Sequence, residues 1–179
     1  MTASPRVPTI RQFQAAECAL AALAMLMAHH GCAVPLEELR RRAGVSGDGT
    51  SLAVLKTVAA QYGFTARAFR KEPEGLAAVG FPCMVFVNFN HMLVVEEMTP
   101  CALRVVDPAG GRRQLAAGEF ERMFTGIVLR LDLTPAMAPR QPIAVGGTLR
   151  ALVRRTAGWG GLALVAAMAM GAAEAATAL

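Results

Sequence analysis

The sequence predicts an α+β protein in which N-terminal helices pack on a mostly antiparallel sheet. Apolar residues recur at helical spacing between residues 15 and 62, whereas between 64 and 133 they form short runs and alternations typical of strands. Helices that precede the strands, instead of alternating with them, indicate the α+β class. The chain has 179 residues, enough for one domain with its own core and an additional segment.

The first predicted helix runs from about Ala15 to His30. It contains no proline and no β-branched residue, and Gly31 follows it as a stop signal. Its residues are apolar on nearly all sides, so we expect this helix to be buried. Two more helices are expected at about 35–44 and 51–62, and either Thr50 or Ser51 caps the latter.

The second half of the domain is expected to form the sheet. Its apolar runs and alternations predict strands at 64–69, 83–87, 92–97, 103–106 and 127–133, with short helical pieces at 73–79 and 117–124.

Composition divides the chain into four segments. They are a loose N-terminus (1–9), the α+β domain (10–133), a Pro- and Gly-containing linker (134–148) and a basic, then apolar helix (149–179). The last segment holds 18 consecutive uncharged residues, and a membrane span needs about 20. We expect a partial transmembrane helix whose preceding arginines keep the domain in the cytoplasm. The alternative is a small buried helix rich in Ala and Gly.

Charge and cysteine usage exclude several functions. The net charge of +5 comes from scattered arginines without interleaved aromatic residues, so nucleic-acid binding is not expected. The four cysteines, at positions 18, 32, 83 and 101, form no Cys-x-x-Cys pair and have no regular spacing. We therefore expect neither a zinc site nor a disulfide framework, but reduced thiols in a cytosolic setting.

Cys18 is the candidate nucleophile, since it lies in the first turn of the apolar helix. Unpaired backbone N–H groups and the helix dipole favour an anion there, which lowers the pKa of a thiol. A thiolate at the start of a buried helix is the usual arrangement in a cysteine hydrolase. The alternative is that Cys18 is one more small core residue.

His91 is the candidate base, because His29 and His30 lie three helical turns from Cys18. A turn near Thr99 joins the strand after His91 to the strand that ends at Asp107. In an unbulged hairpin His91 lies opposite residue 107 or 108, with Cβ atoms about 4.5–5.5 Å apart. We therefore expect Asp107 to orient His91 and to stabilise its imidazolium.

A slip of one residue would instead place Asp107 on the other face of the hairpin. Taken singly, His91 also fits an ordinary strand histidine, and Asp107, which precedes a proline, fits an ordinary turn initiator.

Gln12 completes the candidate site. It lies in the segment leading to the helix, and its amide N–H, together with the Cys18 backbone N–H, is suited to bind a developing oxyanion. Gln14 is the rival for this position, and a solvated loop glutamine is the alternative for either residue.

These residues belong to longer motifs, which are Gln12 with Ala16-Glu17-Cys18, Asn88-Phe89-Asn90-His91, Asp107–Arg113 and Glu119–Gly126. The motifs resemble the N-terminal peptidase domain of peptidase-containing ABC transporters over about residues 7–133. These are the double-glycine leader peptidases, cysteine peptidase family 39, and the resemblance is strongest to bacteriocin exporters of the nitrile-hydratase-leader type.

The resemblance implies a papain-like fold and cleavage of a leader peptide after Gly-Gly in the cytoplasm, followed by export of the core peptide. It implies that Cys18 is the nucleophile, His91 the base, Asp107 the orienting residue and Gln12 the oxyanion donor. The implied partners are a precursor peptide with a Gly-Gly leader, the bacterial inner (cytoplasmic) membrane, and the rest of the transporter or a homodimer formed through it.

No cofactor is expected in this chain. It contains no Gly-x-x-x-x-Gly-Lys-Ser/Thr motif, so ATP and Mg²⁺ are expected only in a partner or in a missing part of the transporter. The chain also departs from the family pattern at Ala19, where a glycine usually follows the cysteine. The extra methyl group either narrows the substrate channel or is accommodated.

Two other functions remain open at this point. One is a non-catalytic domain that docks the substrate of the exporter. The other is an unrelated, membrane-tethered hydrolase or acyltransferase with a Cys-His-Asp triad, since such triads recur with different chemistry.

Overall fold

The computed structural model describes residues 6–44 and 49–134 of the chain. Its α-helices are α1 (Cys18–His29), α2 (Leu36–Ala43), α3 (Leu52–Gln61) and α4 (Ala117–Met123), and 3₁₀ turns cover Ala15–Glu17 and Pro73–Val79. Its strands are β1 (Phe64–Arg70), β2 (Cys83–Val87), β3 (His91–Met98), β4 (Ala102–Asp107), β5 (Gly111–Ala116) and β6 (Phe124–Leu133).

The C-terminal predictions lie outside the described residues. These are the linker after Thr134 and the basic, apolar helix at 149–179. Within the described ranges, no helix combines the length and the apolar character that a bilayer crossing requires.

The six strands form one sheet in the order β1-β6-β2-β3-β4-β5. Every neighbouring pair is antiparallel, as expected for strands that follow the helices. Strand β5 was not predicted from the sequence, because this edge strand buries only Gly111 and Leu115 and exposes three polar residues and Ala116. Such a strand has no continuous apolar run by which it can be recognised.

The sheet separates two apolar clusters. Helices α1 to α3 cover one face and pack on strand residues such as Met84, Val94 and Leu129. The opposite face, with Val85 and Leu93, is covered by the 3₁₀ turn Pro73–Val79 and by α4. Alternation along each strand divides its side chains between the two layers.

Helix α1 is the buried centre of the helical layer, because every residue from Cys18 to Met27 is buried. The expected start at Ala15 is wrong by three residues, since a 3₁₀ turn precedes the α-helix and makes Cys18 its first residue. The other predicted elements agree with the structure within a few residues at each end. Of the two proposed caps of α3, Ser51 is the one that accepts a hydrogen bond from the Val54 backbone N–H (3.3 Å).

Val7 is held against the sheet, although it lies in residues 1–9, which were expected to form a loose N-terminus. Its side chain is buried, and its N–H donates to Glu96 Oε1 (2.9 Å). Arg112 Nη2 donates to the Val7 carbonyl (2.6 Å) and also to the Glu96 carboxylate. Because this ion pair bridges β3 and β5, it holds the segment that leads to Gln12 against the sheet.

Candidate active site

Cys18 lies at the N-terminus of α1 and lines a cavity of about 480 Å³. The thiol is largely buried, with 8% of the residue exposed. The other residues that line the cavity come from the 3₁₀ turn before α1, the first turn of α1, the segment before α3, and β2, β3 and their turn: Ala15, Ala16, Ala19, Gly49, Thr50, Ser51, Phe86, Phe89, Asn90 and Met92. Ala19 and Cys18 therefore face the same cavity.

His91, the first residue of β3, is hydrogen bonded to Asp107 at the end of β4, with 2.8 Å between Nε2 and Oδ1. The carboxylate is held from other sides as well. The Ala109 backbone N–H donates to Oδ1 (2.8 Å), and Arg113 Nη2 lies 3.3 Å from Oδ2. These contacts fix the Asp107 carboxylate, and the imidazole takes its orientation from it.

The hairpin that brings His91 and Asp107 together is bulged, so the expected unbulged register is wrong. Near the turn, Met98 pairs with Leu103, but beyond a shift between Val95 and Glu97 the pairing becomes Val94 with Val106. If the pairing near the turn continued unshifted, Asp107 would lie opposite Val94, and its side chain would point to the face away from His91. With the shift, Asp107 lies opposite Leu93. Because Leu93 is two residues from His91, the two share one face of β3, and Asp107 is on that same face.

The Cys18 thiol and the His91 imidazole influence each other's pKa. Burial, the strongest influence, raises the pKa of Cys18, but hydrogen bonds with His91 and the Met92 backbone lower it below the ordinary value. The hydrogen bond with Cys18 raises the pKa of His91 above its ordinary value, and the bond with Asp107 adds to this against burial. Both shifts favour a thiolate–imidazolium pair.

Asp107 stays ionised beside this pair. Burial raises the pKa of its carboxyl group, but hydrogen bonds from His91 and the Ala109 backbone lower it below the ordinary value. Asp107 bonds Nε2 of His91, which leaves Nδ1 as the ring nitrogen available to the thiol of Cys18. The structure therefore brings together three of the four predicted residues in the order thiol, imidazole, carboxylate.

Gln12 is tied to the same region through its backbone, since its N–H donates to the Pro108 carbonyl (3.0 Å) next to Asp107. The residue is half-buried. Its side-chain Oε1 is buried and finds no hydrogen-bond partner in the described part of the chain. The rival, Gln14, is exposed. Gln12 is thus the glutamine tied to the region of Asp107, while its role as oxyanion donor stays a prediction.

Glu17 is a structural contributor that the sequence analysis missed. It is completely buried, and its Oε2 accepts the backbone N–H groups of Phe13 (3.0 Å) and Gln14 (3.1 Å). Its other oxygen forms an ion pair with Arg40 on α2. Glu17 thus joins the loop before Cys18 to the second helix. The sequence signal for this ion pair was an acidic residue, Glu17, directly before an apolar helix, together with three arginines at 40–42 in the next helix.

No metal site is evident in residues 6–44 and 49–134, where no three His, Cys, Asp or Glu side chains are grouped to hold an ion. The chemistry that the site offers is nucleophilic attack by a thiolate, assisted by an oriented imidazole. This is the arrangement of a cysteine hydrolase.

Comparison with known proteins agrees with this class. A family model described as "Peptidase C39 family" matches residues 6–135. The chain belongs to this family of cysteine peptidases, which confirms the predicted family and enzyme class.

Curated relatives include two proteins of Escherichia coli. The probable microcin-H47 secretion/processing ATP-binding protein MchF is 40% identical over 126 residues, and the colicin V secretion/processing ATP-binding protein CvaB is 36% identical over 126 residues. Each match covers 70% of this chain but 18% of the relative. The chain therefore corresponds to less than a fifth of the length of these proteins.

Solved structures match a similar share of the chain. A double glycine motif protease from an AMS/PCAT transporter, in complex with its leader peptide, is 39% identical with a TM-score of 0.70, covering 75% of this chain and 96% of that one. The peptidase domain of Streptococcus ComA has a TM-score of 0.67 at 20% identity, over 72% and 100% of the two chains. The predicted fold, N-terminal helices packed on an antiparallel sheet, is confirmed.

Proposed function

We propose that this chain cleaves the leader of a ribosomally made, bacteriocin-like precursor after a Gly-Gly pair, in step with export by an ABC transporter. The observation that carries the proposal is the Cys18–His91–Asp107 arrangement beside an open cavity in a chain of the C39 family. The substrate class is supported by a 39% identical protease whose structure contains a leader peptide.

In this mechanism Cys18 is the nucleophile. Its thiolate attacks the carbonyl carbon of the second glycine, and the carbonyl π electrons move to oxygen to give a tetrahedral intermediate. When the intermediate collapses, the C–N bond breaks and the His91 imidazolium gives its proton to the leaving amine. Neutral His91 then takes a proton from water, whose oxygen attacks the thioester. The second collapse releases the leader and regenerates the thiolate–imidazolium pair.

Asp107 and Gln12 assist different stages of this cycle. Asp107 holds His91 in the tautomer that keeps Nδ1 towards Cys18 and stabilises the imidazolium. Gln12 donates from its amide nitrogen to the oxyanion, together with the Cys18 backbone N–H. Such donors act mainly on the intermediate, so we expect them to influence kcat more than KM.

The surrounding parts are assigned by the same proposal. The domain works in the cytoplasm at the bacterial inner membrane, and residues 149–179 attach it to the bilayer. The rest of the transporter binds ATP and Mg²⁺. It belongs to another chain or to a continuation of this one, and it forms a homodimer. The chain's own residues need no cofactor for the thiol chemistry.

Cleavage of defined peptides tests the proposal. Residues 1–134, a span that solved relatives occupy as separate chains, are incubated with a panel of Gly-Gly leader peptides and the products are identified by mass spectrometry. We expect cleavage directly after Gly-Gly by the wild type and none by Cys18→Ala. Leader binding without cleavage would support a docking domain instead. Transfer of an acyl group from a donor substrate would support an acyltransferase.

A further inference from the structure

The turn between β2 and β3, directly before His91, has an unusual backbone. Val87 pairs with His91, and the Asn90 N–H donates to the Val87 carbonyl (3.2 Å) to close the turn. Its two central residues have positive φ angles, 50° for Asn88 and 56° for Phe89. They are the two residues other than glycine with positive φ in the described ranges.

Phe89 is an unfavourable residue for this backbone. A Cβ atom crowds the following carbonyl oxygen in the left-handed region, a cost that asparagine tolerates and glycine avoids. Hairpin turns with two positive φ angles accordingly favour Asn-Gly. This chain has Asn88 followed by phenylalanine, although glycine at the second position would relieve the strain.

Packing does not explain the choice, because Phe89 is 81% exposed. Its ring lies outside both buried clusters and is not among the partly buried residues packed against them. It lines the cavity that contains Cys18, together with Asn90 and Met92. A strained residue that gives no support to the core, placed at the opening of a reactive site, indicates selection for contact with a ligand.

We propose that Phe89 is a specificity-determining residue whose ring packs over the glycine pair of the bound peptide. This inference rests on the proposed leader peptidase function. Aromatic rings bury a large apolar area at little entropic cost, and the Cα atoms of glycine can approach a ring closely. The same ring occupies the volume that a larger side chain would need, so it discriminates against other residues beside the scissile bond.

The test uses Phe89→Gly, for which stability and activity should change in opposite directions. We expect Phe89→Gly to raise the melting temperature of the 179-residue chain by about 3 °C, since the strain is relieved. We expect kcat/KM on a Gly-Gly leader to fall about tenfold, because the ring contact is lost. For matched leaders with alanine in place of either glycine, kcat/KM should fall less. The ratio of kcat/KM for the Gly-Gly leader to that for the alanine leaders should therefore decrease.

Phe89→Tyr is the conservative variant, since it keeps the ring and the Cβ atom. We expect it to keep the preference for glycine that Phe89→Gly loses, without the rise in melting temperature. A loss of activity with a lower melting temperature in Phe89→Gly would mean a structural role and overturn the inference. Unchanged kcat/KM, or an unchanged preference for glycine, would also overturn it while leaving the peptidase function intact. If the wild type cleaves none of the leaders, the proposed function fails first and the inference with it.

Discussion

Asp107 lies diagonally from His91 across β3 and β4, and the two side chains still meet at 2.8 Å. The register shift between Val95 and Glu97 sets this relationship, because it returns Asp107 to the face of the hairpin that His91 occupies. Diagonal neighbours have Cα atoms about 7–8 Å apart, which long side chains can span. His91 spans it with Nε2, its distal nitrogen, and therefore keeps Nδ1 for Cys18.

The orienting role of Asp107 predicts the effect of Asp107→Asn. Asparagine removes the negative charge that stabilises the imidazolium, and in the neutral ring its NH₂ group can donate to Nε2 and hold the wrong tautomer of His91. We therefore expect kcat to fall about 10³-fold with little change in KM. Leader cleavage under steady-state conditions measures both constants. Asp132→Asn is the control, since Asp132 pairs with Arg130 on β6 and not with His91. A kcat close to the wild-type value in Asp107→Asn would contradict the assignment.

The coupling of Cys18 to His91 predicts a pH dependence. His91 lowers the pKa of the thiol against the effect of burial. In His91→Gln burial dominates, and we expect the pKa of Cys18 to rise above the ordinary value of about 8.5. The rate of alkylation by iodoacetamide, measured against pH, should therefore have its midpoint at higher pH than in the wild type.

The control for this measurement is His30→Gln, because the His30 ring contacts Phe64 at the other end of α1. Cys101 is exposed and can react with iodoacetamide as well, so the site of alkylation is read from peptide masses. An unchanged midpoint for Cys18 in His91→Gln would show that the imidazole does not stabilise the thiolate.

The two glutamines before Cys18 can be separated by substitution. Loss of one oxyanion donor costs about 10²-fold or more in kcat, so we expect this fall in Gln12→Ala with KM nearly unchanged. Gln14→Ala removes a solvent-exposed amide and should leave kcat within about twofold. Cleavage of one leader peptide by both variants provides the comparison. The reverse result would assign the oxyanion donor to Gln14.

The buried carboxylate of Glu17 predicts a large effect on stability. Glu17→Ala leaves the N–H groups of Phe13 and Gln14 without their acceptor and Arg40 without its partner. We expect the free energy of unfolding to fall by about 2 kcal/mol, given that Arg40 is partly exposed. Urea unfolding measures the change. In Glu37→Ala, at an exposed position on α2, the free energy of unfolding should stay within about 0.5 kcal/mol of the wild-type value. Equal effects of the two substitutions would argue against a stabilising role of the buried Glu17 contacts.

Much of the fold was predictable because its signals are local. The long apolar run after Cys18 fits a buried helix, and the strand before Asp107 is marked by Leu103, Val105 and Val106. The edge strand β5 was not predictable, because it buries only two residues. The 3₁₀ turn before Cys18 was also missed, since its residues Ala15 and Ala16 have high helix propensity.

The candidate site was predictable by residue type, since the chain has three histidines and two of them lie too far along α1. Asp107 does bond to His91 as predicted, but through a hairpin register that differs from the predicted one. The bulge in β3 could not be recognised from the sequence, because β3 and β4 have apolar residues on both faces and a shift of one residue still buries valines.

By itself, the sequence determined the order of the helices and of every strand but β5, and the candidate thiol, imidazole and carboxylate, because hydrophobic period and chemical type are properties of short segments. The tertiary structure alone decided which face Asp107 occupies, which glutamine bonds to the backbone next to Asp107, how Glu17 is neutralised, and that the strained, exposed Phe89 lines the cavity of Cys18. These features depend on contacts between residues distant in the chain, or on a backbone conformation that no local preference favours.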